Sequence, residues 1–121
     1  MIDLEIKVEQ LEDAINFLER VPPRIWEKVD KQLGLSAGMV AERARHLAPF
    51  RTGHLRSTIG FERQAPLHWI VYAGAHYAEF VEFGTSRMAA RPYLRPALTL
   101  MRPIILALAK LGVERAFEER R

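Results

Sequence analysis

The chain contains no cysteine, so it can build neither a disulfide framework nor a thiolate metal site. It also lacks the phosphate-cradling loops GxxxxGK[ST] and GxGxxG, the zinc-protease motif HExxH and the GxSxG nucleophile elbow. Without these, Thr52, Ser57 and Ser86 have no partner motif that would make any of them a nucleophile. His46, His54, His68 and His76 have no second ligand set beyond the spacing of His76 and Glu79. Solvated histidines are the simpler reading, and no catalytic, cofactor or metal residue is assigned; the chain is not expected to be an enzyme. There is no internal repeat and no low-complexity tract. No apolar run is read as long enough to span a bilayer, and the acidic start, Asp3 and Glu5, is unlike a signal peptide. The expectation is a soluble intracellular protein with no membrane partner.

What is present fits one compact unit. A chain of 121 residues makes a single domain, 1–121, large enough for a modest core. Its net charge of +3 rests mostly on arginine, which suits bidentate pairing with carboxylates or phosphates. That preference alone does not choose between a protein partner and a nucleic acid.

Residues 2–8 alternate Ile2, Leu4, Ile6 and Val8 with charged neighbours, the period of a half-buried strand. Residues 11–20 change to helical spacing and predict a short amphipathic helix ending before Pro22. Pro23 suits the first turn of a second helix. From Ile25 an apolar stripe through Val29, Leu33, Ala37, Val40, Ala44 and Leu47 predicts six to seven turns ended by Pro49. Gly34 and Gly38 lie inside that helix, and close packing against a sheet or a helix competes with a functional bend as the reason. Residues 49–57 read as a turn and strand entry, with Thr52 and Gly53 supplying the reversal. Residues 55–62 and 67–73 predict an antiparallel hairpin around a loop at 63–66, joined by the N-terminal strand. Residues 96–121 are helical by pattern, with a kink or restart expected between Leu100 and Pro103.

The densest information lies in residues 72–96. Tyr77, Phe80, Val81 and Phe83 recur at intervals of three and four, which predicts a short helix over 75–83 stopped by Gly84. Glu79 and Glu82 then share a neighbouring face and read as ion-pair partners for the arginines that follow. Phe80 and Trp69 are expected to be largely buried. Residues 85–91 lack a clean period, and with Pro92 and Pro96 behind them they read as a long exposed loop. So little apolar content is expected to leave that loop mobile until Arg87 and Arg91 meet a neighbour. Arg51, Arg56, Arg87, Arg91 and Arg95 cluster in two turn regions, and if the fold unites those regions they form a basic patch able to meet phosphates. A small basic nucleic-acid-binding domain is therefore the alternative reading, although no stacking-aromatic or recognition-helix pattern supports it.

Two stretches read together carry a resemblance to a known family. APFRTGHLRST at 48–58 resembles a turn-and-strand signature of the form A-P-x-x-T-G-x-L-R-x-S. YAGAHYAEFVEFGTSRMAARPYLRPAL at 72–98 resembles Y-A-x-x-x-E-F-G-T-x-x-M-x-A-R-P-F-L-R-P-A. Both belong to the small tail-completion or minor tail components at the head–tail neck of long-tailed bacteriophages and proviruses. The resemblance implies an α+β fold, with a long helix packed on a small antiparallel β-sheet and with a short helix, an exposed loop and a C-terminal helix. It implies a structural protein of the virion, present in the host cytoplasm during assembly. Its partners would be copies of itself in a ring, typically hexameric, the head connector and the tail-tube protein, with non-specific contact with passing DNA. By carry-over, Thr52, Gly53, Leu55 and Arg56 fill the first motif, and Tyr77, Glu82, Phe83, Gly84, Thr85, Arg91, Pro92 and Pro96 the second. The candidate assembly interface comprises Arg51, Thr52, Arg56, Glu79, Glu82, Thr85, Arg87, Met88 and Arg91. The remaining motif residues are structural.

Overall fold

A computed structural model describes residues 2–7, 23–49 and 53–118. The short helix expected over 11–20 lies outside the described residues, as do Arg51 and Thr52. The described elements are strand β1 (Ile2–Lys7), helix α1 (Pro23–Leu47), the helical turn α2 (His54–Ser57), strands β2 (Ile59–Ala65) and β3 (His68–Ala73), and helices α3 (Ala78–Phe83) and α4 (Leu94–Glu118). The arrangement is α+β, as the resemblance implied.

Helix α1 starts on its proline, and its apolar stripe is the inner face of the domain. Ile25, Val29, Leu33, Ala37, Val40 and Ala44 are all buried, and Leu47 is partly so. The basic Arg45 and His46 stand in its last turn, where cations complement the exposed carbonyls. The sheet has the order β1-β3-β2 and is antiparallel throughout, with Val71 opposite both Leu4 and Phe61. The N-terminal strand therefore flanks the hairpin on the β3 side. Close packing on the sheet explains the helix glycines. A Cβ on Gly34 would lie 2.8 Å from the Trp69 ring, and one on Gly38 would lie 3.2 Å from Phe61. Beside this junction Asp30 clamps helix to hairpin: Oδ1 accepts the Leu67 amide and the Trp69 indole N–H, and Oδ2 accepts Arg63 Nε at 2.8 Å.

Three local expectations are corrected. Residues 54–57 form a helical turn instead of entering the strand. Gly53 is left-handed, and the hydroxyls of Ser57 and Thr58 donate back to the His54 and Leu55 carbonyls, drawing the chain into a turn before Ile59. The hairpin turns on Pro66 and Leu67 alone, because a bulge between Arg63 and Ala65 lets β2 continue to Ala65. Helix α4 continues through Pro103, so it does not restart there. Proline removes the N–H that the Thr99 carbonyl would accept, but the turns on both sides are held by packing along α1.

Helix α4 crosses α1 antiparallel, with Gly112 against Lys28 and Val29 near the start of α1. Tyr93, Leu94, Ala97, Ile105, Ala109 and Val113 complete the core from this side. The absence of a bilayer-length apolar run is also corrected. Residues Leu94–Arg115 reach a mean hydropathy of 1.5, long and apolar enough to cross a membrane, and only 28% of that window is buried. Leu98, Met101 and Leu106 still pack against the core, whereas Leu100, Pro103, Ile104 and Ala107 are exposed apolar side chains the core does not use.

Candidate functional site

The two sequence motifs meet in space. Thr58 ends the first, and its carbonyl accepts the Gly74 amide while its hydroxyl oxygen accepts the Ala75 amide, both at 3.1 Å. The His54 ring lies 6.0 Å from that of Tyr77, which His76 meets edge-on at 5.1 Å. Leu55 is buried in the core. Arg56 donates to the Ala48 carbonyl and ties α2 to the end of α1. The first motif thus anchors the start of the second.

Helix α3 is shorter than the predicted 75–83 and stops where expected. Gly84 has φ +77°, and its amide donates to the Phe80 carbonyl at 2.8 Å. That conformation favours glycine, and a Cβ there would also meet the Ala90 nitrogen at 2.7 Å.

Glu82 does something the sequence did not suggest. It is only 3% exposed, and it forms no ion pair with the loop arginines among the described residues. Oε2 accepts the backbone N–H groups of Tyr93 at 2.6 Å and Leu94 at 3.3 Å, and Oε1 accepts that of Arg95 at 2.8 Å. These are the unpaired donors at the start of α4, where the helix dipole also favours negative charge. An N-cap is usually supplied by the residue before the helix; here a glutamate from another helix does the work. The expected pairing of Glu82 with Arg87 or Arg91 is therefore corrected: the carboxylate is committed to backbone and is not on the surface. Glu79 is exposed. Next to Glu82, buried Tyr93 donates its hydroxyl to the Ala78 carbonyl. Burial first, then the Glu82 charge, push its phenol well above the ordinary tyrosine range.

The expected burial of Phe80 is the opposite correction, and Phe83 behaves in the same way. Both aromatics are exposed, Phe80 at 55% and Phe83 at 50%, because α3 turns Ala78 and Glu82 inward. Trp69 is only partly buried. Residues 85–92 are exposed throughout, and a small reversal orders the tip. The Thr85 amide donates to the Met88 carbonyl at 2.8 Å, and the Arg87 amide donates to Thr85 Oγ1. At the base, the Arg91 amide donates to the Val81 carbonyl at 2.8 Å, one step from the Glu82 cap. The loop leaves and returns at adjacent anchors. The Arg95 guanidinium lies 4.5 Å from the Phe83 ring centroid. Arg87 and Arg91 form no ion pair among the described residues. Of the sequence-predicted interface residues, Thr85, Arg87, Met88 and Arg91 share this loop, Glu79 is exposed on the adjoining helix, and Arg56 belongs to the motif junction.

Among comparisons with known proteins, no curated protein and no solved structure matches the chain. The family model described as "Bacteriophage HK97-gp10, putative tail-component" matches residues 12–84, which take in all of the first motif and the second as far as its glycine stop. The match spans more than half of the chain, which therefore belongs to the HK97-gp10-like family of bacteriophage tail components.

Proposed function

We propose that this tail component is a ring-forming neck protein that joins the head connector to the tail tube, and that its role is structural and not catalytic. The observation that supports this reading most is the loop at 84–92. It projects exposed residues, including Met88 and, without an ion pair among the described residues, Arg87 and Arg91, from a base fixed by backbone hydrogen bonds. A ring requires a heterologous interface, in which one patch of a subunit meets a different patch of the next. The loop supplies one such patch, and of the two carboxylates in the second motif the one exposed to a neighbour is Glu79, since Glu82 is buried. In the virion the subunit would contact copies of itself, the connector and the tube, having been made in the host cytoplasm.

Charge reversal tests the proposal. Arg87→Glu and Arg91→Glu should leave the circular dichroism spectrum unchanged while reducing ring formation or connector docking in native mass spectrometry, and wild-type assembly should weaken with salt. If both variants assemble as well as the parent at low and high salt, the loop is not the joining element.

A further inference from the structure

The surface that continues from the loop along α4 carries chemistry the ring reading does not use. Phe83, Ala90, Pro92, Pro96 and Leu100 line a shallow, mostly apolar groove of about 680 Å³ between the loop and the helix. From the groove outward α4 carries half-buried Pro96 and exposed Leu100, Pro103 and Ala107, spaced four, three and four residues apart, with Ile104 beside them. Leu100 is 54% and Ile104 41% exposed. This spacing makes a seam of three turns on one side of a helix, the pattern by which one helix packs along another. At its centre Thr99 lines the groove, its carbonyl deprived of a helical donor by Pro103.

Glu82 also lines the groove, but its carboxylate is taken up by the first amides of α4, and the charges that follow it have one sign. From Thr85 to Val113 the sequence contains Arg87, Arg91, Arg95, Arg102 and Lys110 and no carboxylate. None of the five is ion-paired among the described residues. We infer that this groove and seam dock an amphipathic helix of a second protein, with apolar residues at intervals of three and four and Asp or Glu on its flanks. A complementary negative rim would steer and orient the incoming helix. The groove is concave, which suits a projecting side chain better than a flat bilayer. A second copy of this chain is a poorer fit. Its other exposed large apolar residues, Trp26, Leu35, Met39, Phe61, Phe80 and Met88, are spread over two helices, a strand and the loop; of these Leu35 and Met39 share one helix face, and the neighbouring Glu42 already bonds Arg45 and His46. The inference uses the isolated subunit and stands apart from ring formation.

The test is selection from a displayed library of random peptides of about 14 residues, four turns of helix. Wild-type protein should enrich peptides with helically spaced apolar residues and acidic flanks. In fluorescence anisotropy the best of them should bind about tenfold more weakly to Leu100→Glu and to Arg102→Glu, and more weakly still at high salt. Ile104→Glu is a second seam variant, and circular dichroism checks that each is folded. No acid-flanked consensus, or equal binding by the variants, overturns the inference. Two controls identify a different occupant and overturn it equally. One is Leu100-dependent sedimentation with phosphatidylglycerol vesicles in the absence of any selected peptide. The other is self-association of the wild type that Leu100→Glu abolishes. Loss of ring formation in the loop variants with peptide binding intact would leave this inference standing and the neck role tested separately.

Discussion

The two long helices make an instructive pair. Each has 25 residues, and they lie side by side, yet they spend their apolar residues differently. Helix α1 concentrates its large apolar side chains on the buried stripe and leaves only a few, such as Leu35 and Met39, outside. Helix α4 is apolar on both sides, and the outer side has no partner among the described residues. They also begin differently: α1 opens on a proline that needs no N–H partner, whereas α4 borrows a carboxylate from α3. The first helix is explained by the monomer. The second is explained only in part, and its surplus points to assembly.

Substitutions sharpen that contrast. The largest effect is expected for Leu33→Ala on the buried stripe of α1, a loss of about 2 to 5 kcal/mol in reversible denaturant unfolding. Glu82→Gln should lose about 2 kcal/mol, because an amide presents its own donors to three backbone N–H groups that a carboxylate accepts. A loss near zero would mean that α4 starts without this cap. Gly34→Ala sets the gain of about 1 kcal/mol in helix propensity against overpacking on the Trp69 ring, which is worth about 1 to 3 kcal/mol. The expected result is a net loss with a shifted tryptophan emission spectrum. Leu100→Ala, on the outer face of α4, should change stability by less than about 0.5 kcal/mol. If it instead costs as much as Leu33→Ala, the two helices do not differ as described.

Much of this was readable in the residues because it is periodic. The stripe from Ile25 to Ala44, the positions of the three strands and the stop at Gly84 depend on neighbours in sequence, and the structure has each of them, although Phe61, expected on the inner face of β2, is exposed. What pattern could not supply is the choice between two faces of a short helix. Over six residues, Phe80 and Phe83 on one side and Ala78 and Glu82 on the other are equally periodic, and hydrophobicity chooses the wrong pair. The inward glutamate is favoured because three backbone donors eleven to thirteen residues away need an acceptor. Asp30 went unnoticed for the same reason, its partners lying on the hairpin. A local clue existed in Pro92, which places a helix start nearby with no Ser, Thr, Asp or Asn just before it to serve as its cap. Of the candidate interface residues, Glu79, Thr85, Arg87, Met88 and Arg91 are surface positions, and only the second motif draws attention to them.

The Glu82 cap and the Arg91 to Val81 hydrogen bond together close the chain at the root of the 84–92 loop, as a clasp closes a strap. Past that clasp, only Gly84 and the small reversal at the tip constrain the backbone. The energetic penalty of lengthening a closed surface loop grows slowly, with each doubling adding only about 0.6 kcal/mol. Residues 86–90 are therefore the part of the molecule where insertions, deletions and exchanges leave the fold intact. This is where one phage lineage could change what its tail component meets without redesigning the domain that presents it, and where a foreign epitope or a tag would be best introduced.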